Sequence, residues 1–225
     1  MIKQSAQSAS VKGFSLIEVV LAIGIFLVTV LALVGLLGPT LQSVDEVEKT
    51  DEVSSIVNTV NAFLQNSPGI ATAGSSKFDT IFNAVAPGHA TIFVFRAFPD
   101  STSTDVELKV GFFNETVGDP SASIVAGDIV SGGQVRAAGP VYRVVLSPSS
   151  VLPEQYLQGG SNPTRTNGMF TMTDSTLANY EEGYFAMEVR IFAESAGAGY
   201  KPDGKTIASL ADVEPIFTYN TAIVR

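Results

Sequence analysis

The chain has no cysteine among its 225 residues. Disulfides, thiolate metal sites, cysteine nucleophiles and a lipid-anchored N-terminal cysteine are therefore excluded. Histidine is almost as scarce: His89 stands alone, after Pro87-Gly88 and ahead of a strand pattern. No Gly-x-Ser-x-Gly elbow, His-Glu-x-x-His pair or Walker-type loop is present. His89 is thus expected as a turn residue rather than a triad member, and the chain is not expected to be an enzyme. Basic residues are few, with 13 Lys and Arg against 22 Asp and Glu, a net charge of −9. Nucleic-acid affinity depends on neutralising phosphates with Lys and Arg, so no nucleic-acid partner is expected. A polybasic contact with a lipid surface is disfavoured on the same ground. No internal repeat or low-complexity tract is present.

What the chain does have is one long apolar run. Nineteen uncharged residues extend from Val19 to Leu37, preceded by Glu18 and by a polar stretch, residues 1–13, with Lys3 and Lys12 and no acid. A secretory signal has its apolar region before the cleavage site, usually about 7–15 residues long. This run is longer, and no Ala-x-Ala pattern follows it. At a rise of 1.5 Å per residue it makes a helix of about 28 Å, close to the hydrocarbon thickness of about 30 Å. The reading is a retained membrane span. No basic residue follows until Lys49, while Asp45, Glu46 and Glu48 lie beyond the run. The positive-inside rule then places the N-terminus in the cytoplasm and the remainder outside. Glu18 is conspicuous, because a carboxylate at the centre of such a helix costs about 2.5–3.5 kcal/mol. Either it stays wet at the cytoplasmic interface or it has a partner.

The order Lys12-Gly13-Phe14-Ser15-Leu16-Ile17-Glu18 and the apolar helix after it resemble the N-terminus of type IV pilins and type II secretion pseudopilins. The resemblance covers residues 12–40 closely and the continuation to about Leu64 more loosely. It implies that residues 1–13 are a leader, that a prepilin peptidase cuts between Gly13 and Phe14, and that Phe14 is then N-methylated. Removing Lys3 and Lys12 with the leader leaves 11 basic against 22 acidic residues, a net −11. It further implies that Glu18, now fifth in the mature chain, sets register in a filament by pairing with a neighbour's new α-amine. Four residues apart on a helix, amine and carboxylate lie on one face. Gly35, Gly38 and Pro39 form a candidate hinge, since glycine and proline both weaken a helix interior. The implied location is the bacterial inner membrane with a periplasmic domain, and a filament after assembly. The implied partners are the peptidase, other pilin-like subunits, an inner-membrane assembly platform with its ATPase, and lipid before assembly. No cofactor is implied.

From Leu41 to Leu64 the pattern turns amphipathic. Leu41, Val44 and Val47 step by three, and Val53, Ile56, Val57, Val60, Phe63 and Leu64 follow helical spacing. The chain therefore divides into a leader (1–13), an apolar helix (14–37), its amphipathic continuation (38–66) and a β-rich domain (67–225). The last has about 160 residues, a size that suits one domain. Its strand patterns are Thr91–Ala97, Val106–Phe112, Val141–Leu146, Phe185–Ile191 and Phe217–Val224. Phe185, Met187, Val189 and Ile191 face one way, with Glu188 and Arg190 the other. The expected fold class is α+β, a long helix packed on an antiparallel sheet of about five strands with long loops.

Those loops are expected at Gly118–Gly139, Ser147–Ser175 and Ala193–Glu214, without structure of their own, a feature often functional or mobile. Some pseudopilins bind calcium in such loops, which makes Asp203, Asp212 and Glu214, or Asp100 and Asp105, weak calcium candidates. None has the spacing of an EF-hand, so solvated carboxylates are the simpler expectation. Asn114-Glu115-Thr116 fits a glycosylation sequon, a match short enough to arise by chance. A competing function is a single-pass membrane-anchored binding module or exported enzyme that forms no filament. A freely secreted domain is the third.

Overall fold

The structure, a computed structural model, describes residues 13–66, 74–99, 102–113, 129–131 and 134–225. Side chains of residues 37–46, 48, 49, 130, 131, 134, 135 and 203 lie outside that description. The chain divides into two compact units, Met1–Glu52 and Val53–Arg225. The helix α1, Leu16–Asn66, contributes to both, and it is helical through Gly35, Gly38 and Pro39.

The second unit is built on a five-stranded antiparallel sheet. Its strands are β1 (Ala90–Ala97), β2 (Glu107–Phe112), β5 (Ala137–Pro148), β8 (Tyr184–Ser195) and β9 (Phe217–Val224), in the order β2-β1-β5-β8-β9. All five expected strands are present, and the fold is α+β. Two short hairpins, β3 with β4 (Val130–Ser131, Gln134–Val135) and β6 with β7 (Arg165–Thr166, Met169–Phe170), stand apart from it.

One face of the sheet carries the main core. Ile56, Val60, Phe63 and Leu64 of α1 recur at helical spacing and pack with Ile92, Val94, Phe112, Val144, Leu146, Phe185, Met187, Val189 and Ile191. Each such side chain removed from water contributes roughly 1.5–3 kcal/mol. The expected cover for the apolar stripe is thus observed from Ile56 onward. Val47, in the other unit, remains 68% exposed. A second helix absent from the expectations, α2 (Lys77–Val85), completes this layer. Ser76 caps it in a capping box, its hydroxyl accepting from the Asp79 N–H while the Asp79 carboxylate accepts from the Ser76 N–H. Phe78, Ile81, Phe82 and Val85 form its buried face, and Phe82 lies 4.9 Å from both the Tyr180 and Phe185 rings.

The two central strands, at twelve residues each, run longer than their patterns predict. β5 begins at Ala137 rather than Val141 because Gly139-Pro140 sits inside the strand. Pairing with β1 shifts register there, from Phe95↔Val141 to Ala97↔Ala137, and Gly139 takes φ 102°. A bulge absorbs Gly139-Pro140, which the sequence reading left outside the strand.

Replacing Phe82 by alanine is expected to destabilise the domain by about 3–5 kcal/mol through the cavity left between three rings. Ser76→Ala is expected to cost about 1 kcal/mol. Urea unfolding in detergent micelles, followed by fluorescence of the six tyrosines in a chain without tryptophan, checks both.

Candidate functional site

Ser15 starts α1. Its hydroxyl accepts from the Glu18 N–H at 3.4 Å and its carbonyl from Glu18 and Val19, so Glu18 lies in the first turn. Gly13 and Phe14 precede the helix in an exposed stretch, with Phe14 83% exposed. From Leu16 to Leu36 the helix has 21 residues, long and apolar enough to cross a membrane, and none is buried within the protein. Thr29 is the one polar side chain between Val19 and Leu36. Its hydroxyl donates to the Ile25 and Phe26 carbonyls at 2.8 Å, so it carries no unmet bond into an apolar medium. Phe14, Glu18, Val19, Ala22, Ile23 and Phe26 line one shallow groove along this helix. Phe14 and Glu18 both line it, although Phe14 stands before Leu16, the first residue of the helix.

The other expected site residues are not gathered. Asp212 and Glu214 are exposed after the short helix α3 (Ile207–Leu210), and the Asp203 side chain lies outside the described residues. Asp105 is exposed, with its N–H donating to the Ser103 hydroxyl. Asp100 and Asn114–Thr116 lie outside the description. No group of three or more His, Asp or Glu among the described residues could hold a metal ion. His89 is half-buried immediately before β1.

Comparison of the chain with protein-family models, with curated proteins and with solved structures gives no match. Chemistry must therefore be read from the geometry alone.

The geometry holds a charge cluster that the strand patterns do not reveal. Glu188, Arg190 and Glu194 of β8 and Arg143 of β5 are all buried, on the sheet face opposite the main core. The Arg143 Nε donates to Glu194 Oε1 at 2.8 Å and its Nη2 to the Pro202 carbonyl at 2.5 Å. The Tyr200 hydroxyl donates to Glu194 Oε2 at 2.5 Å, and Lys205 Nζ lies 3.5 Å from Oε1. Phe93 closes the site, 4.6 Å beneath the Arg143 guanidinium. Burial pushes the Glu194 carboxyl up, but hydrogen bonds from Arg143 and Tyr200 and the charges of Arg143 and Lys205 outweigh it, holding the group below its ordinary value. Burial also raises the Tyr200 hydroxyl, and its bond to Glu194 raises it further.

The second half of the cluster is held by a hairpin. Arg165 of β6 donates both Nη atoms to Glu188, at 2.8 and 2.7 Å, and its guanidinium stacks 4.1 Å over Phe170. Its Nη1 also donates to the Gly168 carbonyl at 2.6 Å. The turn is Asn167-Gly168, both at positive φ (51° and 76°), a two-residue hairpin that needs Asn-Gly. A Cβ on Gly168 would stand 2.8 Å from Arg190 Nη1, so glycine also leaves room for that buried guanidinium. Burial lowers the Arg190 pKa, Glu188 opposes the shift and Arg165 adds to it.

These contacts overturn the expectation of unstructured loops. Ala193–Glu214 continues β8 to Ser195, then returns over the sheet as a turn of 3₁₀-helix (Pro202–Gly204) and α3, pinned by the Arg143–Glu194 pair. Ser147–Ser175 contains the end of β5, a 3₁₀ turn (Glu154–Tyr156) and the β6–β7 hairpin. Gly118–Gly139 contains β3, β4 and the start of β5, with residues 118–128, 132 and 133 outside the description. The physical reason is common to all three. Each segment supplies a counter-charge, a carbonyl or an apolar side chain that the second sheet face needs.

In this cluster Arg143, Glu194 and Glu188 are buried in ion pairs, while Arg165 and Lys205 reach solvent at its rim. Glu194→Gln leaves Arg143 buried without its counter-charge and is expected to cost about 3–5 kcal/mol. The folded pKa of Glu194 is depressed, so its contribution is complete above the ordinary value of 4.5 and is lost as pH falls through the lowered value. Thermal melts between pH 2 and 7 should show that acid-side loss in the wild type and a flatter profile in Glu194→Gln.

Proposed function

We propose that this chain is a prepilin-type structural subunit, a pseudopilin or minor pilin of a type IV pilus-like or type II secretion filament. The observation that carries the reading is the helix from Leu16 to Leu36, wholly exposed, with Glu18 in its first turn four residues after Phe14 and no other charge. An apolar surface of that size needs a cover, first lipid and then the helices of other subunits. Once the chain is cut after Gly13, the α-amine of Phe14 and the carboxylate of Glu18 supply opposite charges on one face. A charge within an apolar bundle is heavily penalised unless paired, so a subunit entering out of step is rejected. Gly35, Gly38 and Pro39 serve as the stretch where the helix loosens on packing. The domain lies on the periplasmic side, and peptidase, assembly platform and ATPase are separate proteins. The competing reading, a membrane-anchored module that forms no filament, predicts no cleavage and no role for Glu18.

Mass spectrometry of the N-terminal peptide from native membranes separates the two. The expected peptide begins at Phe14 and is one methylene heavier than the unmodified sequence. A peptide beginning at Met1 sinks the proposal, and one beginning beyond Leu37 makes the domain a secreted one. In the same cells, Glu18→Ala is expected to leave the processed subunit in the membrane and deplete it from sheared or purified filaments. Filament incorporation equal to wild type would remove Glu18 from its role.

A further inference from the structure

Among the described residues, four buried side-chain atoms have no hydrogen-bond partner: the Thr91 and Ser147 hydroxyls and the Nε and Nη2 of Arg190. They are not scattered. The sheet register sets Thr91 and Arg190 on either side of Val145 in one rung. Ser147 stands two residues along β5, opposite Glu188. All three therefore surround Val145 on the face away from the main core. Thr91 is 1% exposed, Ser147 0% and Arg190 7%. Buried polar groups are as a rule bonded, so four such atoms around one residue point to a common partner.

The donors define the chemistry of that partner. Nε and Nη2 form the side-on edge of the guanidinium, the edge with which Arg143 holds the two Glu194 oxygens at 2.8 and 3.4 Å. Such an edge matches two oxygens of one oxyanion. Arg190 has no carboxylate there, because both oxygens of Glu188 are engaged by Arg165. Two guanidinium groups against one carboxylate leave a positive charge in excess, which an anion neutralises and water does not. The two hydroxyls can each turn a proton toward the same guest. Arg165, its side chain 43% exposed, presents positive charge at the rim. Gly168 is adjacent, and a Cβ there would stand 2.8 Å from Arg190 Nη1, so the hairpin turn puts no side chain against the guanidinium.

We propose that Arg190 holds a small inorganic oxyanion of the phosphate or sulfate type beneath the β6–β7 hairpin, with the Ser147 and Thr91 hydroxyls as further donors. The donors are buried, so the guest is no larger than an inorganic ion. It neutralises the surplus charge and links β1, β5 and β8 where Met169 of the hairpin packs with Val145. The site uses only the Val53–Arg225 unit and does not depend on the assignment of the N-terminal helix.

The test is a series of thermal melts of the full-length chain in detergent micelles at neutral pH. Inorganic phosphate, and separately sulfate, is raised at an ionic strength held constant with sodium fluoride. A ligand of the folded state raises the melting temperature with concentration as its site fills. The wild type is expected to show that site-filling rise, at millimolar concentration, with at least one of the two anions. Arg190→Met keeps the aliphatic stem and is expected to abolish it. Arg190→Lys keeps the charge without the fork, and is expected to weaken affinity about tenfold, the loss of one charge-assisted hydrogen bond. Ser147→Ala and Thr91→Val remove only a hydroxyl, and keep the test open if Arg190→Met fails to fold. Each should weaken affinity about threefold. In the absence of anion each should raise the melting temperature, as deletion of a buried unpaired hydroxyl does. No site-filling rise with either anion in the wild type overturns the proposal. So does a rise left unchanged by Arg190→Lys and Ser147→Ala, and the four atoms then belong to buried water.

Discussion

The structure depends on where one helix finds its cover. α1 is continuous from Leu16 to Asn66, yet its two ends meet opposite conditions. From Ile56 to Leu64 four apolar side chains are buried against the sheet of their own chain. From Leu16 to Leu36 none is buried. A lone helix gains little from its own hydrogen bonds in water, and most helical stability comes from a packed face. The C-terminal stripe has such a face, and the N-terminal stretch must obtain one from lipid or from another molecule. The helix is thus covered by its own chain at one end and uncovered at the other.

The sheet imposes a second condition, because both its faces are covered. Helices α1 and α2 occupy one face. The other takes three returning segments, two of them held by charged pairs and the third by Ile129 packing with Phe93 and Phe95. Replacing a buried pair with apolar residues is often neutral or stabilising, so such a pair is weak ground for arguing stability. What Arg143–Glu194 does supply is position. A guanidinium that must meet Glu194 and the Pro202 carbonyl together admits few placements of the chain between them. Arg165 does the same for the β6–β7 hairpin through Glu188. The long connections are therefore ordered by a small number of directional bonds over modest apolar clusters such as Val145, Met169, Phe192 and Leu210.

Much of this was legible in the sequence, and the failures have definite causes. The strands were readable because alternation survives on the main-core face. Glu188 and Arg190 were readable as facing the other way, but not as buried, since alternation reports which face a residue occupies and not whether that face is covered. The signals for two missed elements were present: Ser76-x-x-Asp79 with apolar residues at 78, 81, 82 and 85 marks a capped helix, and Asn167-Gly168 marks a tight hairpin. Both were short and sat in polar surroundings, where composition outweighs pattern. Gly139-Pro140 made β5 read shorter than it is, because glycine and proline interrupt a strand pattern that a bulge carries through. The proposed processing site and the role proposed for Glu18 rest on resemblance, because a carboxylate at a helix start has an ordinary explanation as well.

That ordinary explanation is weakest where the helix is most exposed. A carboxylate capping the first turn of a helix is favoured by the helix dipole, and in water Glu18 needs nothing more. But its own face continues as Ala22 and Phe26, with Val19 and Ile23 alongside, all apolar. Whatever covers that face must either leave Glu18 in contact with water or bring a positive group to it. Lipid allows the first, since a first-turn residue can stay at the interface. A bundle of like helices, packed side by side and displaced along their axes, allows only the second. The position of one charge on the otherwise uncharged stretch Leu16–Leu36 is therefore indifferent to anchoring and restrictive for assembly, and the filament reading rests on that asymmetry.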